Sequence, residues 1–144
     1  MNRILLLFSV LALVACSENN ETEKLTRENL FQIAVSSKWQ VNLYANGDDI
    51  KTDDYTNYKF NFLTNDSVKA TNGTNTYKGS WYSGNTENTP STLGLIFNIE
   101  FETPETYALL SREWDVISAD QGTIRLRYIN GEKVELLTFV STAK

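Results

Sequence analysis

Hydrophobic residues follow two different periods along this chain, and the change between them divides the sequence. From Leu25 to Ser37 the apolar positions lie near helical spacing, which predicts a helix over residues 25–37 with Thr26 as its N-cap. Beyond it apolar and polar residues alternate, which indicates strands with one buried face. Eight segments show this alternation, at residues 39–43, 58–62, 68–71, 77–81, 93–101, 114–116, 124–128 and 134–140.

The segments between the predicted strands contain residues typical of turns. Asn46-Gly47, Asn72-Gly73 and Asn130-Gly131 are tight-turn dipeptides, and the last of them predicts a β-hairpin. Pro104 to Leu110 predicts a short helix. Eight antiparallel strands with one apolar face predict an all-β domain over residues 38–140, closed either as an eight-stranded barrel or as a two-sheet sandwich.

The N-terminus has the pattern of an export signal. Asn2-Arg3 is followed by an apolar run from Ile4 to Val14, which is too short for a membrane-spanning helix. Leu13-Val14-Ala15-Cys16 resembles the bacterial lipobox. That resemblance implies that residues 1–15 are a lipoprotein signal peptide and that Cys16 carries a diacylglycerol and a further acyl chain such as palmitate. Residues 16–24 would then be an acylated polar tether to the membrane, and we expect this to be the outer membrane of a bacterial cell envelope.

Single positions in the strands add a family resemblance. Residues 37–41 (SKWQV), 58–62 (YKFNF), 78–81 (KGSW) and 110–116 (LSREWDV) are similar to those of the lipocalin-like lipoproteins of Bacteroidetes. The resemblance covers residues 38–140, and it departs from true lipocalins where Lys38 stands before Trp39 in place of a Gly-x-Trp motif. It implies an eight-stranded lipocalin-like barrel with an N-terminal helix, and it implies location in the envelope more than any chemistry.

The amino-acid composition argues against several classes of function. The chain has 13 Lys and Arg against 18 Asp and Glu, a net charge of -5, which argues against a nucleic-acid partner. It has no His and its one Cys is Cys16, which excludes His-based triads and Cys–His dyads. The acidic loop at 46–54 fails the EF-hand spacing, and Glu100, Glu102 and Glu105 show no opposed pairing. We therefore expect no enzyme, no metal site and no cofactor.

Aromatic residues are the richest class of candidate binding residues. Six of them are predicted to line one interior: Trp39, Tyr58, Phe60, Phe62, Trp81 and Phe97.

These aromatics allow two interpretations. They could form the wall of a pocket for a small apolar ligand or lipid, which the lipocalin resemblance slightly favours. They could instead pack as a filled core, leaving a structural or protein-interaction lipoprotein that contacts an envelope protein or inhibits a protease. The second interpretation predicts an exposed apolar patch along Tyr44, Leu63 and Tyr82.

Overall fold

The computed structural model describes residues 23–87 and 90–142, and its main feature is a closed antiparallel β-barrel. A helix, α1 (Arg27–Ser36), precedes the strands, a 3-10 helix spans Thr52–Tyr55, and a short helix, α2 (Glu105–Ala108), follows β6. The strands are β1 (Lys38–Asn46), β2 (Asp49–Ile50), β3 (Lys59–Phe62), β4 (Ser67–Thr71), β5 (Thr76–Asn85), β6 (Leu95–Phe101), β7 (Arg112–Ala119), β8 (Thr123–Asn130) and β9 (Lys133–Thr142).

Strand order follows chain order. From β3 onward each strand pairs with the next, and β1 closes the barrel by pairing with β3 on one side and β9 on the other. Within the described part of the chain, the short β2 pairs only with the end of β1 and lies outside the ring, which leaves eight strands in the barrel. The predicted all-β fold and its eight-stranded antiparallel barrel are therefore confirmed, and the sandwich alternative is excluded.

A β-bulge interrupts the alternation in β1. Val41 pairs with Phe139 and Leu43 pairs with Thr138, so Asn42 is an extra residue without a partner on β9. Inward-facing positions therefore shift from Trp39 and Val41 to Tyr44.

Each end of the barrel is covered by a helical segment. Helix α1 lies over the end where β1 begins, and it places Leu30, Ile33 and Ala34 in the core. At the opposite end, the 3-10 helix and α2 each insert one tyrosine, Tyr55 and Tyr107. We call these the α1 end and the α2 end.

Tryptophan side chains tie the strands to these covers. The indole Nε1 of Trp39 donates to the Ala34 carbonyl at 2.8 Å, and that of Trp114 donates to the Leu110 carbonyl at 2.9 Å. Both rings are fully buried, so each satisfied indole nitrogen avoids the cost of a buried unpaired donor.

Local predictions agree with the structure in part. The Thr26 side chain caps α1, as predicted, by accepting a hydrogen bond from the Asn29 backbone N–H at 3.1 Å. The helix itself is shorter than the predicted 25–37 and spans Arg27–Ser36. Gly47, Gly73 and Gly131 have positive φ at the predicted tight turns. Strand β2 and the 3-10 helix were not predicted, because the 46–54 segment lacks apolar alternation. The predicted signal peptide, Cys16 and most of the tether lie outside the described residues.

Candidate functional site

The barrel interior at the α1 end is filled by aromatic rings that belong to the predicted set of interior aromatic residues. The Phe62 ring centroid lies 5.2 Å from that of Trp81 and 5.0 Å from that of Phe97, and Trp81 and Phe97 are 5.3 Å apart. Phe31 of α1 stacks on Trp81 from outside at 5.4 Å. These contacts are typical of packed aromatic cores.

The remaining predicted residues divide between the core and the α2 end. Phe60 is fully buried and packs on Phe139 at 5.3 Å, while Trp39 is also fully buried. Tyr58 is half-buried at the α2 end, where its ring stacks on Tyr77 at 5.6 Å. The structure thus brings the predicted residues into one continuous core, with five in the interior and Tyr58 at its rim.

Tyr107 closes the core at the α2 end. Its ring contacts those of Tyr58 at 5.4 Å and Tyr77 at 4.7 Å, and only 2% of the residue is exposed. Within the described part of the chain its hydroxyl has no hydrogen-bond partner. Burial raises the pKa of this hydroxyl far above the ordinary tyrosine value, so it remains protonated.

A buried ionic group lies in the interior beside Tyr44. Glu135 is 3% exposed, accepts a hydrogen bond from the Tyr44 hydroxyl at 3.2 Å, and pairs with Arg112 at 3.5 Å. The guanidinium of Arg112 also lies 5.3 Å from the ring centroid of Tyr128. Burial, and then the charge of Glu135, raise the pKa of Tyr44 to about 12.

The predicted apolar patch along Tyr44, Leu63 and Tyr82 is wrong for its first member. Tyr44 is fully buried because the bulge at Asn42 turns it inward, and Leu63 is half-buried; only Tyr82 is well exposed, at 45%. The other well-exposed large apolar residues described lie on the β1–β2 and β8–β9 hairpins: Ile50, Ile129 and Val134.

An ion pair clamps a loop onto the outer face of β7 and β8. Asp115 accepts hydrogen bonds from the Ser91 hydroxyl at 2.7 Å, from the Thr92 backbone N–H at 3.1 Å and from Arg127 at 2.7 Å. Arg127 is therefore bound to a neighbouring carboxylate, whereas Arg125 on the same strand is exposed. This cluster holds the loop in place and offers no free cationic clamp for an anion.

An open groove runs between α1 and the end of β5. It has a volume of about 490 Å³. Asp66, one of its lining residues, is exposed and has no ion-pair partner within the described part of the chain. Glu28 pairs with Arg27 at 2.8 Å, and the hydrogen bond from Arg27 lowers the pKa of Glu28. The lining residues are Arg27, Glu28, Phe31, Gln32, Asp66, Tyr82 and Ser83.

Sequence reasoning missed the groove and the buried ion pair. Glu135 had one signal, because it alternates with Leu137 and Phe139, which face the core. The groove had none, since it depends on where β4 begins relative to β5 and on how α1 packs against β5 and β3.

No helix among the described residues has the length and apolarity needed to cross a membrane. Comparisons of this chain with protein-family models, with curated proteins and with solved structures found no match in any of the three.

Proposed function

We propose that this protein is a lipid-anchored, non-catalytic envelope protein whose barrel is a packed scaffold and whose outer surface contacts other proteins. The supporting observation is the mutual packing of Phe62, Trp81 and Phe97, each at most 1% exposed, at ring separations of 5.0–5.3 Å. A small apolar ligand would have to displace these side chains, at the cost of their dispersion contacts and burial.

The outer surface of the barrel also supports a protein-contact function. The α1–β5 groove is lined by exposed and half-buried residues of both polar and aromatic type, a mixture common in protein interfaces. The anchor and the envelope location rest on residues 1–16, where the lipobox-like segment precedes Cys16.

Extraction of small molecules from the full-length protein, purified from the membranes of its own host, tests the proposal. We expect no stoichiometric apolar compound by mass spectrometry, and no thermal shift with a panel of fatty acids and sterols. A bound compound at one equivalent would contradict the packed-scaffold function and support an apolar-ligand carrier.

The anchor is tested separately with Cys16→Ser. We expect this variant to leave the membrane fraction, because the acylated thioether would be absent. The unchanged chain should show an N-terminal peptide with the mass of an acylated cysteine. Equal membrane retention of both forms would contradict lipid attachment at Cys16.

A further inference from the structure

Among the residues that the structure describes, the last part of strand β5 has a partner strand on one side only. Along β5, the ladder with β4 ends at Ser80, which lies opposite Ser67. One more backbone hydrogen bond joins the Trp81 N–H to the Asp66 carbonyl at 2.9 Å. The ladder with β6 continues to Asn85, opposite Leu95. Near the end of β5, α1 contacts β5 and β3, and the groove lies between α1 and β5.

Backbone alternation shows which groups this edge leaves unpaired. Trp81 directs its N–H toward the β4 side, and Thr86 directs its N–H to the Gly94 carbonyl on the β6 side at 2.9 Å. The β5–β6 ladder has no register shift between these residues. In an antiparallel pair the bonded side alternates with each residue, so the N–H and C=O of Ser83 and Asn85 point away from β6.

The side chains that line the α1–β5 groove lie next to this unpaired edge of β5. Ser83 is one of its lining residues, and the Ser83 hydroxyl donates to the Arg27 carbonyl at 3.4 Å, which holds α1 beside the strand. Phe31 and Tyr82 supply aromatic surface, and the Asp66 carboxylate, which has no ion-pair partner among the described residues, makes this site complementary to a cation.

We propose that the α1–β5 groove binds an extended peptide segment of a partner protein, which pairs with β5 at Ser83 and Asn85 and places a basic side chain opposite Asp66. An unpaired strand edge is matched by the backbone of another extended chain, and the groove on either side selects among side chains. The inference rests on the proposed protein-contact function and names the partner's chemistry.

Amide hydrogen exchange tests the edge itself in the full-length protein in detergent. The Ser83 and Asn85 amides should exchange at least about tenfold faster than those of Tyr82 and Gly84, because only the latter pair with β6. Equal protection of Ser83 and Gly84 would overturn the proposal, since the edge would then already be occupied.

Site-specific photo-crosslinking in the host identifies the peptide. A photoreactive residue at Tyr82, beside the groove, is compared with one at Ile129, an exposed residue on the β8–β9 hairpin. We expect a reproducible protein adduct from Tyr82, within one extended segment containing Lys or Arg. No adduct at Tyr82 overturns the peptide proposal; an adduct at Ile129 alone does so while leaving the protein-contact function intact.

The crosslinked segment, made as a synthetic peptide, then tests strand pairing directly. N-methylation should weaken binding to the full-length protein about tenfold or more at alternate residues and little at the residues between them, because only one set bonds to β5. Losses without this two-residue period would overturn pairing.

Asp66→Asn should weaken binding of the same peptide about threefold and reduce the salt dependence of that binding. Asp53 is an exposed acid on the 3-10 helix, and Asp53→Asn should leave both unchanged.

Discussion

Two tyrosine hydroxyls inside the barrel differ in what they contact. The Tyr44 hydroxyl donates to the buried Glu135, while the Tyr107 hydroxyl has no partner among the described residues. Tyr44→Phe should therefore destabilise the protein by about 1–3 kcal/mol, because a buried carboxylate loses a donor. Tyr107→Phe should be neutral or stabilising by about 1 kcal/mol, because a buried unpaired group is removed. Denaturant unfolding of both variants measures this, and a loss for Tyr107→Phe as large as that for Tyr44→Phe would contradict it.

The buried hydroxyls of Tyr44 and Tyr55 make the stability of the protein sensitive to alkaline pH. Tyr44 has its pKa raised to about 12, and burial raises the pKa of Tyr55 still further. A tyrosine in the unfolded chain ionises near pH 10, so at higher pH the unfolded state binds fewer protons than the folded state. The free energy of unfolding should keep its full value below about pH 10 and fall by about 1.4 kcal/mol per pH unit for each such tyrosine above it. Unfolding measured from about pH 8 to about pH 11.5 should give a shallower fall for Tyr44→Phe; identical slopes would refute the assignment.

At the scale of elements, the clamp on the loop before β6 joins residues far apart in sequence. Asp115 on β7 holds Ser91, Thr92 and Arg127 together. Asp115→Ala should cost about 1–3 kcal/mol, because it leaves Arg127 without its carboxylate and frees the loop. Exchange at the Thr92 amide should rise in this variant. Glu113→Ala, which removes an exposed neighbour on the same strand, is the control and should leave that amide unchanged.

Elements defined by local signals were predictable, and those defined by distant contacts were not. Thr26 identified the start of α1, and Asn130-Gly131 identified the β8–β9 hairpin, because cap and turn chemistry act within a few residues. Strand β2 gave no signal because two residues cannot show a period. The clamp on Asp115 could not be predicted, since polar residues in a loop indicate no particular partner.

At the scale of the whole molecule, the filled interior has a direct test. Phe62→Ala should cost about 3–5 kcal/mol and leave a void among Trp81, Phe97 and Phe139. Such apolar voids remain dry and accept small apolar molecules. Benzene should therefore raise the melting temperature of Phe62→Ala and leave that of the parent unchanged. Phe31→Ala, outside the barrel, is the control; a shift in the parent protein would show that space already exists.

Alternation of apolar residues predicted the barrel and most of its core, because each of the eight barrel strands directs alternate side chains into the core. It could not distinguish a pocket wall from a packed core. That difference depends on whether rings from β3, β5 and β6 meet across the interior, and alternation says only which way each ring points.

The single extra residue in β1 has a consequence for which mutations the chain can tolerate. Asn42 is exposed, so many different side chains should be accepted at its position. Its deletion would remove the bulge and leave Leu43 opposite Thr138 and Tyr44 opposite Leu137, so Tyr44 would still face inward and keep its contact with Glu135. Loss of this residue should therefore be tolerated far better than loss of the paired Gln40, which would put Trp39 and Val41 out of phase.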